Sequence, residues 1–364
     1  MTRRLTAAAI AISAMAALSV HAATFYVSNL NDHGAGSLRD AILQSERQAG
    51  ADVIRLDPQS RQFEQPQRIT IIEPLPTIHD TLTINGYLDD HLWHAYGVTI
   101  QQQGAGRVFH VGEHGSLTLA HLNIRDGRAT LGGGILNQGQ LTLNSVTLID
   151  NQAWLYGGAV FHQGQSFAMI NTTLYQNRAI SGAAIFIENP GATITHITSA
   201  SNFNVFGASV AFSASTRIYN SILADEQAGL ACMGRDNPKS DIANNLIERA
   251  LNCGRPYLSA DPQLGQIGRY NGPTLTLPLN GNSPAINMAD NQLSRDQNGQ
   301  VLRWDQRGNG DPRAVGGLAD LGAFERQYQL DYIIDKAGFG DTRTCSKLPA
   351  DCSLLGAIKL KSGN

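Results

Sequence analysis

Paired carboxylates are the first feature of this sequence that could support chemistry. Asp126 and Asp150 occupy near-equivalent positions in two successive stretches of similar sequence. Two neighbouring carboxyl groups can share the acid and base roles of glycoside cleavage, and carboxylate oxygens can also hold calcium. Gln176 and Ser201 take the same position in the next two stretches, so no row of carboxylates forms. We therefore predict no catalytic, cofactor-binding or metal-binding residue, and calcium only for a polysaccharide-lyase alternative.

Other charged and aromatic residues are predicted to be structural. Asp236, Lys239 and Asp241 cluster in a loop that is expected to be solvated. A denser group is expected to form a buried ionic network: Asp305, Arg307, Asp311, Arg313, Asp320 and Glu325. Five aromatic residues are expected to pack in the core or to stack in ladders, with an exposed strip for sugar stacking as the alternative: Trp154, Tyr156, Phe161, Tyr175 and Phe186.

The chain has four cysteines, Cys232, Cys253, Cys345 and Cys352. An even number in an exported chain favours disulfides, and proximity along the chain pairs Cys232 with Cys253 and Cys345 with Cys352. Zinc binding is the alternative. Neither pair has the spacing of a zinc finger, however, and no histidine lies close to either pair.

The elements that must position these residues repeat along the chain. Similar stretches start 24, 26, 25 and 24 residues apart, at Leu117, Leu141, Phe167, Ala192 and Thr216. A glycine-containing pair keeps the same period, as Gly133-Gly134, Gly157-Gly158, Gly182-Ala183 and Gly207-Ala208. Within each unit, apolar and polar residues alternate, which is typical of strands with one buried face.

This repeat predicts an all-β fold, a single-stranded right-handed parallel β-helix in which each turn is one repeat. We expect it over residues 65–325, with about ten turns of roughly 25 residues. Asn151, Asn177 and Asn202 share one corner, where asparagine tolerates a left-handed backbone and can bond to the asparagines above and below. A leucine-rich repeat has units of similar length, but it needs a leucine–asparagine pattern that is absent here.

A short helix stands out before the repeats. Residues 24–64 are expected to form an N-terminal strand and a capping helix. Ser37 is the predicted N-cap and Asp40 its capping-box partner. Leu38 and Ile42 would cover the open end of the coil, because solenoids need capped ends.

The N-terminus predicts export. In residues 1–23, Arg3 and Arg4 precede an apolar run that ends at the small-residue sequence "VHA". That run is shorter than the ~20 residues of a membrane span. We therefore expect a periplasmic, outer-surface or secreted chain without a transmembrane segment. The net charge of −3 does not suggest a nucleic-acid or anionic-membrane partner.

Three stretches carry a resemblance to known families. "GSLRDAI", with "VSNLNDHGAG" before it, resembles the CSLREA-type N-terminal cap of bacterial surface β-helix proteins, with Gly36 in place of the usual cysteine. The glycine repeats are similar to those of chlamydial polymorphic outer-membrane proteins. The stretch from "ADPQLG" to "DLGAFE", about residues 260–325, resembles the choice-of-anchor Q segment. Residues 326–364 resemble a truncated second cap.

The resemblance and the missing carboxylate row together indicate an exported, non-catalytic adhesion or carbohydrate-binding protein. The expected partner is a polysaccharide or a glycan of a host or cell surface, and the expected state is a monomer. The alternative is a polysaccharide lyase or glycoside hydrolase of the pectin-degrading β-helix type.

Overall fold

The chain winds into a right-handed parallel β-helix, in agreement with the predicted fold class. A computed structural model describes residues 22–63, 65–87, 97–224, 229–235, 239–308 and 310–327. Most of the predicted signal peptide and the tail with Cys345 and Cys352 lie outside the described residues. Among the described strands every sheet pairing is parallel, except for one short hairpin near the C-terminus.

The largest sheet has fifteen strands in two columns joined by the long strands β15 and β18. The first column contains β1 (Thr24–Val27), β2 (Ala51–Leu56), β4 (Thr81–Asn85), β7 (Ser116–Ala120), β11 (Gln140–Asn144), β15 (Ser166–Tyr175), β18 (Ala192–Ala200), β21 (Thr216–Tyr219) and β24 (Asp241–Ala243). The second adds β3 (Arg68–Ile71), β5 (Thr99–Gln102), β8 (Asn123–Arg125), β12 (Thr147–Ile149), β22 (Ile222–Ala224) and β25 (Leu246–Ile247).

Two smaller sheets complete each turn of the coil. The second sheet contains β6 (Phe109–Val111), β10 (Ile135–Asn137), β14 (Val160–His162), β17 (Ile185–Ile187), β20 (Ala208–Phe212), β23 (Leu230–Gly234) and β26 (Ala250–Leu251). The third contains β9 (Arg128–Leu131), β13 (Gln152–Tyr156), β16 (Arg178–Ala179) and β19 (Phe203–Asn204). The remaining elements are the hairpin β27 (Ala314–Val315) and β28 (Leu318–Ala319), helix α1 (Leu38–Ser45) and a 3₁₀ turn (Arg61–Phe63).

The repeats seen in the sequence are stacked in register. Leu141 pairs with Leu117 on one side and with Phe167 on the other, and all three side chains are buried in one continuous apolar core. Alternate residues of each strand point into this core, so the period-two pattern becomes one buried face. The side chains of successive turns therefore form apolar columns along the axis.

The asparagine corner differs from its prediction in one respect. The left-handed backbone lies on the residue before each asparagine, at Asp126, Asp150, Gln176 and Ser201. The asparagines themselves, Asn151, Asn177 and Asn202, are fully buried with ordinary backbone angles. A side chain that points inward can bond along the axis, whereas the preceding residue makes the turn and points outward.

Hydrogen bonds link these asparagines from turn to turn. Asn151 donates from its side-chain nitrogen to Oδ1 of Asn177 over 3.1 Å, and Asn177 donates in the same way to Asn202 over 2.9 Å. The same oxygens accept the backbone N–H groups of Asn151 and Asn177 at 3.0 and 2.9 Å. Each amide thereby satisfies buried polar groups in neighbouring turns.

A second corner carries the glycines with positive φ. Gly132, Gly157, Gly182 and Gly207 have φ of 59°, 69°, 64° and 86°. The strand register aligns Gly132, rather than the predicted Gly133, with Gly157. An added Cβ at Gly157 would lie 2.4 Å from the carbonyl oxygen of Val160, so the turn requires glycine for space as well as for conformation.

The coil is shorter than predicted and starts earlier. Its strands begin at Thr24 and end at Leu251, with about eight turns instead of ten. The C-terminal segment, residues 258–327, does not continue the coil but folds back along its side. It covers the corner between the two columns of the largest sheet, where Asn171 donates to the carbonyl oxygen of Trp304 over 2.9 Å and Asn220 to that of Asp290 over 2.8 Å.

Helix α1 packs beside the first strands. Ser37 accepts a hydrogen bond from the backbone N–H of Asp40 over 3.1 Å, and the Asp40 carboxylate accepts the N–H of Gly36 over 3.2 Å. Leu38 and Ile42 are buried in the apolar core. The Arg39 guanidinium, 8% exposed, bonds to Asp32 over 2.6 Å. That the helix caps the coil stays a prediction.

Candidate functional site

A groove follows the coil axis on the outer face of the second column. Its floor is a row of outward-pointing residues from five successive turns, namely Arg125, Ile149, Tyr175, Ala200 and Ala224. Because neighbouring strands lie about 4.8 Å apart, the row is roughly 19 Å long. Ala200 and Ala224, the smallest of these side chains, keep the floor low toward the end of the coil.

The C-terminal segment forms one wall of this groove. Near the end of the coil, Asp261, Gln263 and Asn280 face Tyr175 and Ala200 across a cavity of about 380 Å³. Toward the start of the coil, Arg269 and Leu275 face Arg125 and Ile149 across a cavity of about 540 Å³, which Arg68 also lines. Ile149 and Tyr175 are register neighbours, so the two cavities adjoin.

The cavity of about 540 Å³ is rich in arginine, and carboxylates lie next to it. Arg125 donates from Nε to Asp126 over 3.0 Å and from a terminal nitrogen to Asp150 over 2.7 Å. Gln101 donates to the same Asp126 oxygen over 2.6 Å. Burial raises the pKa of Asp150, and nearby Arg125 opposes that shift. Two carboxylates of adjacent turns are thus held together by one guanidinium.

This carboxylate pair does not extend along the coil. Ser201 lines the cavity of about 380 Å³. The exposed Gln176 takes the equivalent corner position in the turn between Asp150 and Ser201. Over the ranges that the structure describes, no group of three or more His, Cys, Asp or Glu residues has the geometry to hold a metal ion. Beyond Asp150, the polar lining of the groove consists of Ser201, Gln263, Asn280 and one carboxylate, Asp261.

The predicted charge network near the C-terminus is buried, apart from Asp311. Arg313 is fully buried and lies 3.6 Å from Glu325, while Arg307 pairs with Asp305 at 2.6 Å and with Asp311 at 3.0 Å. Burial raises the pKa of Glu325 to about 8, which Arg313 opposes. The network fixes the C-terminal segment internally.

Asp241 and three titratable residues with shifted pKa values lie away from the groove. Asp241 accepts a 2.6 Å hydrogen bond from the Tyr219 hydroxyl. Burial, together with the bond to Asp241, raises the Tyr219 pKa to about 12. Burial lowers the pKa of both His121 and His162 to about 4. Burial is the largest cause of all three pKa shifts, and none of these four residues lines either groove cavity.

The five aromatic candidates do not form one strip. Phe161 is buried and stacks on Phe186 with the ring centroids 5.6 Å apart. Tyr156 contacts Phe186 from the outer side at 4.6 Å, and Trp154 is 69% exposed. Tyr175 lies on a different face, in the groove. The repeat length could not assign these aromatic residues to different faces of the β-helix, because it does not show at which residues the chain turns its corners.

One of the two predicted disulfides lies within the described residues. Cys232 and Cys253 are bonded, with their Cα atoms 6.0 Å apart, and both are buried in the apolar core. Cys232 is in β23 and Cys253 follows β26, so the disulfide joins the last two strands of the second sheet. Neither cysteine can then bind zinc.

Comparison with protein-family models and with curated proteins gives no relative. The chain matches no protein-family model, and no curated protein matches it significantly. The resemblances to the CSLREA-type cap and to the choice-of-anchor Q segment therefore have no family match behind them. In the part of the chain that the structure describes, no helix is long and apolar enough to cross a membrane.

Sequence reasoning missed the groove itself. The repeat predicted the strands that carry the floor residues. The wall, however, belongs to a C-terminal segment that was expected to continue the β-helix. Leu275 contacts Thr147 through a hydrogen bond between residues 128 positions apart. No periodic signal marks such a contact.

Proposed function

We propose that this chain is an exported β-helix protein that binds a linear carbohydrate polymer along the groove without cleaving it. The observation that carries the proposal is the row of equivalent floor positions over five successive turns, along which the two cavities lie. An extended polymer makes repeated contacts in such a site because equivalent positions recur every turn.

The lining suits a sugar chain. Tyr175, partly exposed in the middle of the floor, offers a ring face to the apolar side of a pyranose. Gln263, Asn280 and Ser201 offer amide and hydroxyl groups that can replace the water bound to sugar hydroxyls. Arg68 and Arg269 add positive charge at one end, which favours a polymer with acidic units there.

Binding of a polysaccharide panel tests this proposal. A glycan array selects the ligand, and calorimetry then compares wild type with Tyr175→Ala and Asn280→Ala. We expect Tyr175→Ala to weaken binding about fivefold to tenfold, since an aromatic contact contributes roughly 1 kcal/mol. Tyr26→Ala is the matched control, because Tyr26 is an exposed tyrosine on β1, outside the groove. Equal affinity of wild type and Tyr175→Ala would contradict the groove as the site.

Export and surface association form the second part of the proposal. They depend on the signal-like residues 1–23 and on the resemblance of Gly36–Ile42 and residues 260–325 to segments of bacterial surface proteins. Expression with the full N-terminus, cell fractionation and the mass of the mature chain test this part. Retention of uncleaved protein in the cytoplasm would refute it.

A second candidate is cleavage of the bound polymer, and the carboxylate pair favours it. Asp126 and Asp150 share Arg125, and burial raises the pKa of Asp150, as a general acid requires. Incubation with the polysaccharides that bind, with and without calcium, would reveal new reducing ends or unsaturated products. Activity that Asp126→Asn and Asp150→Asn abolish would replace the non-catalytic proposal.

A further inference from the structure

The outer face of the third sheet carries an apolar surface away from the groove. Five of its large apolar side chains are strongly exposed, led by Phe206 (73%) and Trp154 (69%); the others are Leu155, Tyr156 and Val205. These residues come from two turns, with the partly exposed Ile180 of the intervening turn between them. A contiguous exposed apolar surface on a soluble protein marks an interaction site. We call residues 154–156, 180 and 205–206 the apolar face.

A β-bulge projects Trp154 from this face. Arg128 pairs with Gln152 and Ala129 with Ala153, but Leu131 pairs with Tyr156, so β13 has one residue more than β9. Trp154 and Leu155 therefore stand opposite a single residue of β9, Thr130. A bulge bends its strand and redirects a side chain. The bulge thus gives this turn two outer residues, Trp154 and Leu155, where each neighbouring turn has one, Thr130 or Ile180.

Positive charge borders the apolar face. Arg128 and Arg178 flank Gln152 in the same column, and both are exposed. The Arg178 guanidinium lies 4.8 Å from the ring centre of Phe203, which keeps it beside the apolar residues. The strands β9, β13, β16 and β19 contain no acidic residue. Although the whole chain has a net charge of −3, this surface is basic.

We propose that the apolar face binds peripherally to an anionic lipid surface. Tryptophan and tyrosine favour the interface between water and lipid, and aliphatic side chains can enter the acyl region. The arginines would pair with anionic headgroups. Leu155, Ile180 and Val205 have no flat ring for stacking on sugars, which disfavours a glycan. A second copy of the chain would bring a second basic border to the interface, and strands β9, β13, β16 and β19 offer no acidic residue to pair with it, which disfavours a dimer.

Vesicle co-sedimentation of the mature chain tests the proposal. We expect binding to vesicles of phosphatidylglycerol and phosphatidylethanolamine, and at least about tenfold weaker binding to phosphatidylcholine, because loss of the headgroup charge removes the electrostatic part. Trp154→Ser with Phe206→Ser should abolish binding. The matched control is Tyr26→Ser with Tyr257→Ser, which removes two exposed aromatic residues from outside the apolar face.

Fluorescence quenching by brominated lipid gives a second measurement that needs no disruptive change. Trp154→Phe should keep sedimentation but lose most of the quenching, whereas Trp304→Phe should keep both. Absence of binding to anionic vesicles, or quenching that survives Trp154→Phe, would overturn the proposal. Dimer formation that only the Trp154→Ser and Phe206→Ser variant loses would overturn it in favour of self-association.

Discussion

Asn177→Ala should remove a large share of the stability of the coil. Asn177 is completely buried, and its side chain bonds to three neighbours: the carbonyl of Leu148 at 2.9 Å, the amide of Asn202 at 2.9 Å and both nitrogens of Asn151 at 3.0 and 3.1 Å. Alanine leaves the backbone N–H of Asn151 and the carbonyl of Leu148 without these partners. At about 1–3 kcal/mol for each buried unsatisfied group, the loss is about 2–6 kcal/mol.

Urea unfolding followed by far-ultraviolet circular dichroism measures this loss. Asn144→Ala is the matched control, since Asn144 is exposed on the preceding strand column and should change the free energy of unfolding by less than about 0.5 kcal/mol. Hydrogen exchange should be faster at the backbone N–H of Asn151, which loses its acceptor. If Asn177→Ala and Asn144→Ala unfold at the same urea concentration, the asparagine ladder does not stabilise the fold as argued.

Three further predictions concern pH and the two ends of the chain. For His162, burial lowers the pKa from 6.5 to about 4, so the folded state resists protonation. The neutral His162 contributes fully to the free energy of unfolding above pH 6.5, and this contribution of up to about 3 kcal/mol is lost as the pH falls toward 4. The free energy of unfolding should therefore differ less between pH 7 and pH 4.5 in His162→Gln than in wild type. Ile42→Asp should lower the melting temperature and cause aggregation, because it places a charge against the apolar core, whereas Leu43→Asp, on the exposed side of the same helix, should not; equal behaviour would show that helix α1 covers nothing. Deletion of residues 330–364 should expose a strand edge at the end of the coil and promote end-to-end association, which light scattering detects; a deleted protein that stays monomeric with the same melting temperature would show that this tail caps nothing.

The sequence was sufficient to predict the coil because its signal is local and repeated. Leu117, Leu141 and Phe167 recur at nearly constant spacing, and constant spacing in a parallel coil means stacking in register. The pairing of Cys232 with Cys253 followed from proximity in the chain for the same reason. Interactions between adjacent turns are therefore readable from one repeat to the next.

Two features were not predictable by such reasoning. The corner conformation was assigned to Asn151 instead of Asp150, because both residue types tolerate a left-handed backbone and only the direction of the side chain separates them. The path of residues 258–327 depends on contacts with strands more than 100 positions away, such as the bond between Thr173 and Gln306. The groove exists only because of that path.

The C-terminal segment also changes how the coil must respond to stress. In a simple solenoid each turn touches only its neighbours, so stability is a sum of local terms and the ends can fray independently. Here Gln306 donates hydrogen bonds to Thr147, and Ala323 donates one to Thr198, two turns further along. The segment acts as a longitudinal brace that distributes load over many turns. Pulling the coil from its two ends should then produce one large rupture force rather than a series of equal small ones.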